Sequence, residues 1–77
     1  MIEELPEREL EVVTGVARGL TNQGIGSSLG IAVETVKTHV VNAEDKLGAT
    51  DRTQLAVMAL LYGLMIDPSA ESWGAIG

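Results

Sequence analysis

The stretch GLTNQGIGSSLGIAVETVKTHVVNAEDKLG, from Gly19 to Gly48, decides the fold. A short helix opens after Thr21, whose hydroxyl suits an N-cap, with Ile25 and Leu29 as its inward residues. Gly30 fits the left-handed position that ends a helix and turns the chain. A second, longer helix opens near Val33 and stops at Gly48. At helical spacing Val36, Val40, Ala43 and Leu47 share a narrow arc, the expected core stripe. The opposite arc holds Thr38, Val41, Asn42 and Asp45. Lys37 and Glu44 flank one side of it, His39 and Lys46 the other. Two helices joined by a short glycine turn have the layout of a helix-turn-helix, whose second helix lies in the DNA major groove. Against that stand Glu34, Glu44 and Asp45, on a helix where a DNA reader usually carries arginine or lysine.

Upstream, Pro6 opens a first helix, with Glu7 and Glu9 near the positive end of its dipole. Leu10, Val13, Ala17 and Leu20 fall at spacings of three and four and predict its apolar stripe; Gly19 ends it. Gly15 inside this helix costs on the order of 1 kcal/mol against alanine, and Gly24 with Gly26 makes the second helix the weakest of the set. Downstream, Asp51 or Thr50 caps a fourth helix from about Arg52 to Tyr62, with Gly63 as its stop. Arg52 is expected to support that helix start or the turn before it, and Thr53 and Gln54 belong to its first turn. Leu55, Met58, Ala59 and Tyr62 form one apolar face, and Val57, Leu60, Leu61 and Leu64 form another. A helix apolar all round is buried on more than one side, so one face packs on the domain and the other predicts a dimer interface.

From Asp67 to Gly77 the sequence turns to Pro, Ser, Ala and Gly without period and reads as a flexible tail, with Trp73 a loose aromatic. The expectation is an all-α, four-helix domain over residues 1–66. Its helix-turn-helix motif spans about 21–40, its dimerisation helix about 52–63, and the tail 67–77.

Composition narrows the function. The 77 residues make one small domain with a thin stability margin. There is no cysteine, so no disulfide or thiolate metal site. Apolar residues reach 45% but aromatics are only Tyr62 and Trp73, which predicts an aliphatic core. A mean hydropathy of +0.22 points to apolar surface that meets a partner. Five basic against eleven acidic residues give a net charge of -6, far from the basic footprint of a typical nucleic-acid module. Glu3, Glu4, Glu7, Glu9 and Glu11 place much of that acidity in the first eleven residues, away from the reading helix. No apolar run approaches the roughly 20 residues of a membrane span, and the acidic N-terminus is wrong for a secretory signal. A cytoplasmic protein is expected, with no membrane partner. No nucleophile elbow, phosphate loop or metal-ligand cluster is present, so no enzyme, catalytic residue, cofactor or metal is expected.

The segments LPERELEVV (Leu5 to Val13), ARGLTNQGI (Ala17 to Ile25), LGIAVETVKTHVVN (Leu29 to Asn42) and KLGATDRTQLAV (Lys46 to Val57) occur in order and cover nearly all of Leu5 to Leu64. Together they resemble the LuxR-type (GerE- or FixJ-like) helix-turn-helix DNA-binding domain. The resemblance implies a transcription regulator, often the DNA-binding part of a response regulator. It implies that the third helix reads the major groove of double-stranded DNA and that the fourth helix makes a homodimer on a pseudo-palindromic site. An upstream receiver domain and RNA polymerase are the further partners it implies.

Carried over residue by residue, Lys37 and Thr38 of TVKTH match groove-facing positions, with Thr35 and Val36 counted in the same interface. Val41 and Asn42 continue that face, and Lys46 matches a phosphate-contacting lysine. Thr21 and Asn22 match the small polar start of the second helix, which touches backbone phosphate. Lysine offers donors to guanine or phosphate, and asparagine can pair bidentately with adenine. Several positions depart from the family pattern. Ala32 replaces the usual serine cap, NQGIG stands where the second helix usually reads like NKEIA, and Glu44 and Asp45 are acidic.

Each position also has a plainer reading. Lys37 can be a solvated charge, Asn42 an exposed amide, and Lys46 a partner of Asn42. His39 reads as packing or backbone contact on the helix flank, since a metal or catalytic role would need partners that are absent. Asp45 either accepts from a cytosine amino group at the rim or marks a module that has lost DNA affinity. The alternative function is therefore a degenerate helix-turn-helix acting as a protein–protein interaction module or anti-activator.

Overall fold

The computed structural model describes residues 5–66, with side chains as far as Tyr62. It contains α1 (Glu7–Ala17), α2 (Asn22–Leu29), α3 (Val33–Leu47) and α4 (Arg52–Ile66), and no strand among the described residues. The all-α, four-helix expectation holds. The proposed tail and Trp73 lie outside the described residues.

Three helices end alike. Gly19, Gly30 and Gly48 take φ values of 83°, 71° and 75°, the left-handed region that costs other residues dearly. In each case the amide after the glycine reaches back into the last turn of the helix: Leu20 to the Gly15 carbonyl, Ile31 to that of Gly26 and Ala49 to that of Glu44, at 2.9–3.0 Å. These are Schellman turns, and they convert three glycines in the sequence into three chain reversals.

The core is aliphatic, as the composition predicts. Val12, Val13 and Val16 of α1, Ile25 of α2, the α3 stripe Val36, Val40, Ala43 and Leu47, and Leu55 and Ala59 of α4 are buried together with Leu5. Met58 and Tyr62 pack partly against this cluster. α1 lies centrally, packed on both α3 and α4, while α2 sits on α3.

Two expectations fail. The α1 stripe is not Leu10, Val13, Ala17 and Leu20: Leu10 and Leu20 are both 39% exposed, and the inward line runs through Glu9, Val12, Val13 and Val16. The helix is turned by about one position, which buries Val12 and Val16 beside Val13 and brings Glu9 to Lys46. Gly63 is also no stop; α4 continues through it to Ile66. A stop would require the left-handed backbone, which Gly63 does not adopt.

Caps follow the sequence more closely. Thr21 Oγ1 accepts from Gly24 N at 3.0 Å. Asp51 Oδ1 accepts from Gln54 N at 2.8 Å, and the Gln54 side-chain Oε1 accepts in return from Thr50 N, close to a capping box. α3 starts at Ala32 with no side-chain cap.

Gly26 lies where α2 passes close to the turn. A Cβ there would sit 2.7 Å from the Ile31 carbonyl oxygen, so an alanine, as in the NKEIA pattern this segment resembles, would require the turn to move.

Candidate nucleic-acid interface

The α2–turn–α3 unit exposes one side of α3. With Val36, Val40, Ala43 and Leu47 turned inward, helical geometry places Glu34, Thr35, Lys37, Thr38, Val41, Asn42 and Asp45 toward solvent, and all seven are exposed. Glu34, Lys37, Thr38, Val41 and Asn42 line one shallow depression on this face. Val36, counted in the interface by sequence, is 0% exposed; it is core and offers no side chain to a ligand.

Polar groups on the face are loosely held. Lys37 Nζ lies 3.2 Å from Glu34 Oε2, and both side chains are largely in water. An exposed pair of this kind contributes about 0.5 kcal/mol at most, so Lys37 can exchange it for a phosphate or base. Thr38 Oγ1 donates to the Glu34 carbonyl at 3.1 Å, which leaves its lone pairs free to accept.

Behind the face the contacts are tighter. Lys46 Nζ donates to Glu9 Oε1 at 2.8 Å, joining the end of α3 to α1, and the Glu9 side chain is only 7% exposed. Lys46 does not pair with Asn42; its amine is held by Glu9. His39 stands beside the same carboxylate, with Nδ1 3.9 Å from Glu9 Oε2, buried and without a hydrogen-bond partner. Glu9 thus ties α1 to α3, a role its sequence position near a helix start conceals.

A second anchor fixes the start of α2. Arg52 Nη1 donates to Asn22 Oδ1 at 2.6 Å, and Nη2 donates to the Leu20 carbonyl at 2.7 Å. Arg52 therefore does more than support its own helix: it binds α4 to the loop that carries Thr21 and Asn22. Asn22 keeps its amide N–H groups for an outside acceptor. Arg52→Ala is expected to cost about 1 kcal/mol, since it removes a charge-assisted bond to the part-buried Asn22 amide oxygen, while water can replace the donor at the exposed Leu20 carbonyl. A urea titration checks it; a change under 0.5 kcal/mol would show the link to be incidental.

Every basic side chain in the chain is engaged. Arg8 pairs with Glu11 at 3.3 Å, Lys37 with Glu34, Lys46 with Glu9, Arg52 with Asn22 and Leu20, and Arg18 has a partner too. Among the described residues, no helix is long and apolar enough to cross a membrane.

Comparison with known proteins agrees with this geometry. The GerE family, bacterial regulatory proteins of the luxR family, matches residues 3–59. The chain is 51% identical over 57 residues to "Transcriptional regulatory protein LiaR" of Bacillus subtilis, covering 74% of this chain and 27% of that protein. It is 43% identical over 65 residues to "Response regulator protein VraR" of Staphylococcus aureus, covering 84% of this chain and 31% of that one. The chain thus spans under a third of the length of these relatives. With the family matched over most of its length, the chain belongs to the luxR family of bacterial regulatory proteins.

Proposed function

We propose that this chain is a sequence-specific DNA-binding module of a bacterial transcription regulator, acting in the cytoplasm. The exposed side of α3 enters the major groove, and the start of α2 at Thr21 and Asn22 meets backbone phosphate. The observation that carries this is the face itself: Lys37, Thr38, Val41 and Asn42 stand exposed, directly opposite a stripe that is fully core. Thr35 lies at its edge, and Lys46 joins only by leaving Glu9. Val57, Leu60 and Leu61 of α4 make the homodimer, together with Leu64, whose side chain lies outside the described residues, setting two α3 helices about 34 Å apart on a pseudo-palindrome. A receiver domain and RNA polymerase are the proposed controlling and responding partners.

Selection of bound duplexes from a random pool tests this directly. An enriched inverted repeat is expected; a folded dimer that enriches nothing at low salt would favour the protein-binding alternative. That alternative draws on the engaged cations and on exposed Glu34 and Asp45.

Lys37→Ala is expected to weaken binding about tenfold on every duplex, while Asp45→Arg raises non-specific affinity. With so few cations at the face, affinity should fall with salt at a log–log slope of about -2 per module. Anisotropy titrations at several salt concentrations read all three quantities. Two unchanged variants would remove α3 as the reading element.

A further inference from the structure

Val41 is 60% exposed, more than any other large apolar side chain on the described surface. It stands inside the depression formed with Glu34, Lys37, Thr38 and Asn42, one helical turn from Lys37 and one from Asp45. Burial explains the other valines of α3: Val36 and Val40 are core. It does not explain this one. On the fold alone, a polar residue would serve better here, in the middle of a charged and amide-bearing face.

The major groove gives such a side chain one good partner. Base edges there present N7 and O6 acceptors, amino donors and O4, and a single apolar group, the C5-methyl of thymine. A valine pressed against N7, O6 or an amino group would strip water from a polar atom and return no hydrogen bond. Against a thymine methyl it removes apolar surface from water on both sides.

We propose that Val41 reads the C5-methyl of a thymine in each half-site, so that recognition at this position is apolar and not charged. The proposal rests on the DNA reading above and adds the base it selects. It also accounts for a reading helix with a single lysine on its exposed side: part of the specificity comes from a contact that needs no cation.

The test uses a duplex recovered from the random pool and replaces each thymine in turn with deoxyuridine, which lacks only the methyl. One position per half-site is expected to lose about fourfold in affinity, the worth of one buried methyl-sized group. In Val41→Ala the same replacement should change affinity less than twofold, with thermal unfolding unaltered because the side chain is exposed. Equal sensitivity in the two proteins would assign the methyl to another residue and overturn the proposal. So would a wild-type protein indifferent to every replacement. Failure to recover any duplex is a different result: it overturns the DNA reading, and this contact falls with it.

Discussion

Lys46→Met is expected to lower folding stability by about 3 kcal/mol. The Glu9 carboxylate is 7% exposed and takes a 2.8 Å charge-assisted hydrogen bond from Lys46. Removing one partner of a buried pair leaves an uncompensated charge, which costs about 3–5 kcal/mol when both groups are buried. The Lys46 side chain is 38% exposed, so the lower end applies. For a domain of this size that is a fall in Tm on the order of 15 °C. The opposite substitution should be mild. Glu9→Gln removes the buried charge, keeps an acceptor, and lets the lysine swing its amine into water, costing about 1 kcal/mol. Urea unfolding of both variants checks the asymmetry. A loss below 1 kcal/mol for Lys46→Met would mean that His39, whose Nδ1 is 3.9 Å from the carboxylate, closes the gap and supplies the missing donor.

That pair also marks where the sequence stops being legible. The α3 stripe Val36, Val40, Ala43 and Leu47, the three glycine turns and the Thr21 cap are local signals, fixed by spacing within a few residues, and each reads correctly. The contacts Glu9–Lys46 and Arg52–Asn22 join residues 37 and 30 positions apart. No periodicity encodes such pairs. Glu9 near a helix start looks like a dipole partner, and Lys46 near a helix end looks like a phosphate contact; only the packing of α1 on α3 shows that each satisfies the other.

The same blindness misplaced the α1 stripe. Leucine outranks glutamate on any apolar scale, so Leu10 was expected inside, yet a glutamate with a cation partner holds the inward position. For the interface, the exposed arc of α3 was readable from the wheel alone. Val36 was the exception, because membership in a motif was set above its place on the core arc.

Leu61→Asp is expected to abolish dimerisation and to reduce affinity for a two-half-site duplex by a hundredfold or more. On α4 the inward line Leu55 and Ala59 is buried, while Val57 is 50% and Leu61 57% exposed, two apolar side chains one turn apart on the side away from the core. Leu60 beside them is half-buried. A face of this composition gains from a second copy of itself, and a two-fold interface brings Leu61 close to its own equivalent. An aspartate there sets two carboxylates against each other in an apolar contact, so the penalty is doubled by symmetry. The exposed position spares the fold, and circular dichroism should show unchanged helix content. Binding to two half-sites gains about 10²–10⁴ from linkage of the modules, and a monomer forfeits it. Affinity for an isolated half-site should stay within about twofold, which separates loss of the dimer from damage to α3. Sedimentation equilibrium supplies the other measurement. A wild-type chain that stays monomeric at micromolar concentration, or a Leu61→Asp chain that remains dimeric, would move the dimer contact off this side of α4.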